Sequence, residues 1–283
     1  MVFGWYIVAY LFLAGAGAGA FFAAACACVW DAVRRSDASE KLARTCQAGF
    51  YAAPCLMALA GMFLLLDLGN VERVWLVAFT PFQSVLSVGA WLVALLTAVS
   101  GALAVWALVA SEVPRAALWT CCVLGGACAL GVMGYTGFWH TPWLIALFMA
   151  SSLSCGAAVI VGLDAALSPP SCEVSRVAWG AGAVLGCIEA AVLVAFLAVQ
   201  SGYTQTARAS CEALLAGSLA LTFWVGVCAV GLAVPLALHA VGRLLPGRAA
   251  MMASSLGVLA GGLLLRYCIV AAASFTPLAL GAI

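Results

Sequence analysis

Apolar residues in this chain do not alternate with polar ones; they run in long blocks separated by short clusters of charge and proline. The blocks extend approximately over Gly4 to Trp30, Ala48 to Leu66, Val85 to Ala110, Ala117 to Gly137, Thr141 to Leu167, Val177 to Val199, Ala213 to Leu238 and Ala250 to Phe275. Each is close to the roughly 20 residues a helix needs to cross the hydrocarbon of a bilayer. An unpaired backbone group in lipid costs several kcal/mol, so spanning segments are helices or closed barrels. A barrel would show segments of about 10 residues with alternating polarity, and none is present. The pattern therefore predicts an all-α integral membrane protein with eight transmembrane helices and both termini on one side.

Lys and Arg decide which side. Short cytoplasmic loops carry the excess of positive charge. The odd-numbered loops hold Arg34, Arg35, Lys41, Arg44, Arg115, Arg176, Arg243 and Arg248, and the even-numbered ones only Arg73 and Arg208. The bias makes the odd loops cytoplasmic and both termini exofacial. The first apolar block follows no basic segment and is too long for the core of a cleaved signal, so it reads as a retained first helix.

Composition sharpens the picture. The sequence is 67% hydrophobic and 7% charged, with a mean hydropathy of +1.20, against about 45–50% apolar residues in soluble domains. A formal net charge of +1, dispersed over the loops, gives no footprint for nucleic acid. The 13 cysteines lie almost all inside apolar blocks, without a CxxC or a Cys/His cluster. Cys26 with Cys28, and Cys121 with Cys122, are spaced in ways that do not converge on one ion. They read as small packing residues. Gly15 and Gly19, Gly182 and Gly186, and Gly257 and Gly261 are each four apart, the spacing that lets membrane helices approach closely.

Few side chains remain for chemistry. Ionisable groups in hydrocarbon cost at least about 2.5–3.5 kcal/mol each, so they face a cavity or a partner. Glu189 lies near the middle of the sixth block and Arg266 in the outer half of the eighth; they read as a buried ion pair or a proton path. Asp164 lies near the cytoplasmic end of the fifth block and reads as structural. Near the outer surface, Tyr10, Asp67 and Tyr135 stand with His140 and several tryptophans. A hydroxyl, a carboxylate and aromatic rings suit a quinone, whose carbonyls accept hydrogen bonds and whose reduction consumes protons. The longest connection, Asp67 to Gln83, carries Glu72, Arg73, Trp75 and Pro81 and reads as a docking platform or a simple interfacial connector. The two histidines, His140 and His239, fall on opposite sides and cannot ligate one iron, which excludes a bis-His haem. No haem or metal is expected in this protein.

Three stretches resemble the NrfD/PsrC family, the membrane subunits of molybdopterin and multihaem reductases. They are Tyr10 to Ala20, the run Asp67 to Trp75 followed by Ser87 to Leu92, and Gly134 to Gly137. The second resembles the family's "DLGRPxRFW … SxGxWL" pattern, with Asn70-Val71 in place of Arg-Pro. The resemblance implies two four-helix bundles, residues 1–140 with the quinone site and residues 141–283. It implies menaquinone bound without a covalent link near the outer face, at Tyr10, Asp67 and Tyr135. It further implies electron exchange with an exofacial iron-sulfur subunit of four clusters, docked near Glu72, Arg73 and Trp75, and a molybdopterin catalytic subunit beyond it. On this reading the protein is a quinol-interacting anchor of a respiratory oxidoreductase in a bacterial inner membrane. The alternative from another class is a secondary transporter or proton channel using Glu189 and Arg266, whose sign would be broken helices at those residues.

Overall fold

In a computed structural model, residues 4–34, 39–67, 85–109, 115–135, 142–167, 174–203, 205–242 and 247–272 are described. Every regular element among them is helical. They are α1 (Trp5–Arg34), α2 (Ser39–Asp67), α3 (Val85–Val109), α4 (Arg115–Tyr135), α5 (Pro142–Leu167), α6 (Val174–Tyr203), α7 (Gln205–Leu215), α8 (Thr222–Val241) and α9 (Arg248–Ala272). All but α7 contain a stretch long and apolar enough to cross a membrane, which gives eight candidate spans. The molecule is a multi-pass membrane protein.

The seventh span begins later than the apolar pattern suggests. The backbone leaves α7 at Leu215 and turns before α8 starts at Thr222. Three backbone bonds close the turn, from Ala216 N to Glu212 O, Leu219 N to Ala213 O and Ala220 N to Gly217 O. A Cβ on Gly217 would sit 2.7 Å from the Ala213 Cα, so the turn requires glycine there. The indole of Trp224 donates to the Leu215 carbonyl at 3.1 Å, satisfying an orphan acceptor at the end of α7. The turn is built from Ala, Gly, Ser and Leu, so no charged residue or proline marks it in the sequence.

Two helices form the centre. The spanning windows of α1 and α5 are 61% and 67% buried, against 17–44% for the others, which face lipid more widely. The cause in α1 is the run Ala14 to Ala20, alternating Ala and Gly, all of it buried. Gly17 abuts Met57 and Leu56 of α2, while Gly15 and Gly19 abut Ser152 of α5. A Cβ on Gly19 or on Gly156 would overlap the backbone of the facing helix. Gly257 and Gly261 of α9 meet Val230 and Gly231 of α8 in the same way, and Gly182 and Gly186 of α6 meet His239 and Leu236 of α8. All three glycine pairs thus lie at close helix contacts. In lipid, where apolar surface is satisfied on either side, such packing is a main source of association.

One core cluster draws mainly on α1 to α4, including Phe21, Phe50, Met57, Leu96 and Met133, and takes in Ile160 of α5. A second draws on α5 to α9, including Leu147, Phe148, Phe196, Phe223 and Leu265. Two hydroxyls in α3 are satisfied on their own helix: Thr97 and Ser100 donate to the carbonyls of Val93 and Leu96, both at 2.7 Å. The helix α8 is π-helical over Thr222–Ala233 and α-helical over Val234–Val241.

Candidate functional site

The start of α1, the end of α2 and the end of α9 share one face of the molecule. The Trp5 ring lies 5.3 Å from that of Tyr267, and the Tyr6 ring 6.3 Å from that of Phe63. The last residue of α2, Asp67, is exposed, with Oδ1 3.7 Å from where a Cβ on Gly4 would stand. Tyr10, about one and a half turns into α1, is 5% exposed and belongs to the same core cluster as Ala60 of α2 and Met133 of α4. Tyr135 is the final residue of α4, two beyond Met133, so its backbone ends at this same cluster; its side chain lies outside the described residues. Glu72, Arg73, Trp75 and His140 also lie outside the described residues. This end therefore combines a buried phenol in an apolar shell with a carboxylate at the edge.

A second constellation occupies the interior. Arg266 of α9 is 1% exposed and distributes its guanidinium over three helices. Nε donates to the Leu11 carbonyl at 3.1 Å, Nη1 to Ser151 Oγ at 3.2 Å and to the Gly262 carbonyl at 2.9 Å, and Nη2 to Ser152 Oγ at 3.0 Å. The rings of Phe12 and Phe148 flank it at 5.8 and 5.5 Å. Gly15 leaves room for the cation, since a Cβ there would come within 2.6 Å of Nη2. Bonding at this density is what a buried charge requires, because the desolvation of an unpaired ion costs several kcal/mol.

Glu189 of α6, 6% exposed, joins the same network. Its carboxyl lies in hydrogen-bonding range of the Ser151 and Ser154 hydroxyls. Arg266 and Glu189 thus share Ser151: the hydroxyl that accepts from the guanidinium faces the carboxyl. Charge alone pairs Arg266 with Glu189 but does not point to the serines that join them. The signal for those is Ser151-Ser152-Leu153-Ser154-Cys155, five residues with three hydroxyls and a thiol in the middle of an apolar block. Cys155 is fully buried beside this group, against Gly262.

No disulfide joins the described cysteines, and none of the described His, Cys, Asp and Glu side chains form a cluster of three able to hold a metal. Cys28 of α1 and Cys122 of α4 do meet in hydrogen-bonding range across the helix contact. Outside the spans, burial pushes the Cys211 thiol of α7 above its ordinary value, which keeps it protonated.

Comparison with known proteins agrees with this architecture. The sequence model of the family described as polysulphide reductase, NrfD, matches residues 1–278. The C subunit of the polysulfide reductase from Wolinella succinogenes is 29% identical over 306 aligned positions, covering 95% of this sequence and 93% of the relative. A match of that extent leaves no part of the eight-helix body outside the alignment, and the protein belongs to the NrfD family of polysulphide reductases.

Proposed function

We propose that this protein is the quinol-interacting membrane anchor of a respiratory oxidoreductase complex in a bacterial inner membrane. It exchanges electrons between menaquinol and an exofacial iron-sulfur subunit, and a molybdopterin subunit carries the terminal reaction. The family match over residues 1–278 is the single observation that carries the reading. In this arrangement two four-helix bundles pack through α1 and α5, and both termini lie outside the cytoplasm, as the Lys and Arg bias requires.

The residues at the terminal face fit a quinone ring. Tyr10 offers a phenol inside an apolar shell, Tyr135 ends the neighbouring α4, and Asp67 stands exposed at the edge. The quinol, when bound, supplies two electrons and two protons. Tyr10 and Tyr135 hydrogen-bond the ring oxygens and fix its plane. Asp67 accepts protons and passes them to water, which its exposure permits. Glu72, Arg73 and Trp75 follow closely on Asp67 in sequence and dock the partner. The anchor alone completes no turnover.

The transporter or channel reading gains less support. It calls for broken helices at the charged residues, whereas α6 runs unbroken past Glu189 and α9 past Arg266. Arg266 is also engaged by four hydrogen bonds rather than presented to a pathway. Menaquinol-dependent reduction of the partner clusters tests the proposal, using Asp67→Ala and Tyr135→Phe in the assembled complex. Both variants are expected to lose at least about tenfold in rate, roughly 1.4 kcal/mol of barrier. Wild-type rates in both would remove the site.

A further inference from the structure

Towards the face opposite the start of α1, the helices α5, α6, α8 and α9 line a cavity of about 30 Å³. Its polar lining is Ser154, Ser254, Ser255, Trp179 and His239. The Trp179 indole stacks on the His239 imidazole, with centroids 4.0 Å apart and 20° between planes. His239 Nδ1 pairs with the Pro235 carbonyl, which can only accept, so the ring carries a hydrogen on Nδ1. Nε2 is directed to the space beside Gly182, where a Cβ would come within 2.9 Å of it.

Two features mark this cavity as wet. First, Trp179 is 4% exposed and its indole N–H has no partner among the described residues. A buried donor left unpaired costs about 1–3 kcal/mol. Second, the hydroxyls of Ser154, Ser254 and Ser255 and the lone pair on His239 Nε2 line it. Empty protein cavities are apolar, whereas a water needs roughly 10–15 Å³ and two to four polar partners. Both conditions are met here, for one or two molecules. Ser154 lines this cavity and its hydroxyl also faces Glu189.

We propose that the Trp179–His239 cavity is an internal-water site, and that its water connects Glu189 through Ser154 to the face of the membrane opposite the termini. The connection is one-sided. Towards the terminal face Glu189 meets Ser151, whose oxygen is held by Arg266. Protons therefore reach the Glu189 carboxyl from the His239 side. The site stands independently of the quinone reading, since it uses none of the residues at the terminal face.

Radiolytic hydroxyl-radical labelling in ¹⁸O water, on the full-length protein in lipid nanodiscs with a radical scavenger in the bulk, tests the site. Radicals formed from bound water label their neighbours before a bulk scavenger acts. Trp179 is expected to take up ¹⁸O at least tenfold faster than Phe21, an aromatic that is fully buried in the apolar core. Labelling of Trp179 no faster than Phe21 overturns the proposal. In Ser154→Val and in Ser255→Ala the Trp179 label should fall several-fold while that of the buried Met133 stays at its low wild-type level. An unchanged Trp179 label in both variants overturns the assignment of the serines as water ligands, and with it the link to Glu189.

Discussion

Asp67 stands exposed at the last turn of α2, whereas Arg266 is 1% exposed and gives hydrogen bonds to α1, α5 and its own helix. The two groups show how the molecule treats polarity at an edge and in its interior. At the edge, a polar group can be present for chemistry without being needed for folding. Inside, a charge persists only when its neighbours saturate it, so removing any member disturbs the rest. Mutations at the terminal face should therefore change rate more than stability, and mutations around Arg266 the reverse.

The largest test of that contrast is Arg266→Met. It keeps most of the volume but leaves Ser151, Ser152 and the Glu189 carboxyl without the cation. A loss of about 3–5 kcal/mol is expected, read by denaturant or thermal unfolding in detergent micelles. A loss below about 1 kcal/mol would mean that the cage contributes little to folding. Gly156→Val comes next, because its side chain would overlap the Gly19 backbone and push α5 from α1. It should cost about 1–3 kcal/mol or more, in the same assay.

Tyr10→Phe sharpens the comparison from the other end. Loss of one buried hydroxyl should cost about 1 kcal/mol of stability, while the menaquinol-driven rate in the complex falls by about tenfold or more. Asp67→Ala should leave stability within about 0.5 kcal/mol and still slow proton-coupled turnover. If Asp67→Ala destabilised the fold as much as Arg266→Met, the distinction between edge and interior would fail. The smallest effect is expected for Arg208→Ala, which breaks the exposed 3.3 Å pair with Glu212 on α7; about 0.2–0.5 kcal/mol is typical of such i,i+4 pairs.

Some of this could be read directly. The alternation of Ala and Gly from Ala14 to Ala20 announces a helix that others approach closely, and α1 is one of the two central helices. Glu189 and Arg266 stand out as charges in apolar blocks, and both are buried in one network. The serines that join them do not stand out, because a hydroxyl in a membrane helix can satisfy itself on its own backbone, as Ser100 does. Only the neighbouring helices show that Ser151 and Ser152 serve Arg266 instead. The end of α7 is illegible for a related reason: its turn uses apolar and small residues at the membrane edge.

The amino-acid order by itself determined that the polypeptide spans a membrane as helices, and where most of them run. Hydrocarbon imposes that outcome residue by residue, through the cost of every unpaired backbone group. It also determined the face shared by Tyr10 and Asp67, since each helix reverses direction. The tertiary structure alone decided which side of each helix meets which neighbour. In lipid, apolar surface is content against protein or acyl tail alike, so facing is set by glycine contacts and shared hydrogen bonds between residues more than 100 positions apart, such as Arg266 with Ser151 and Leu11.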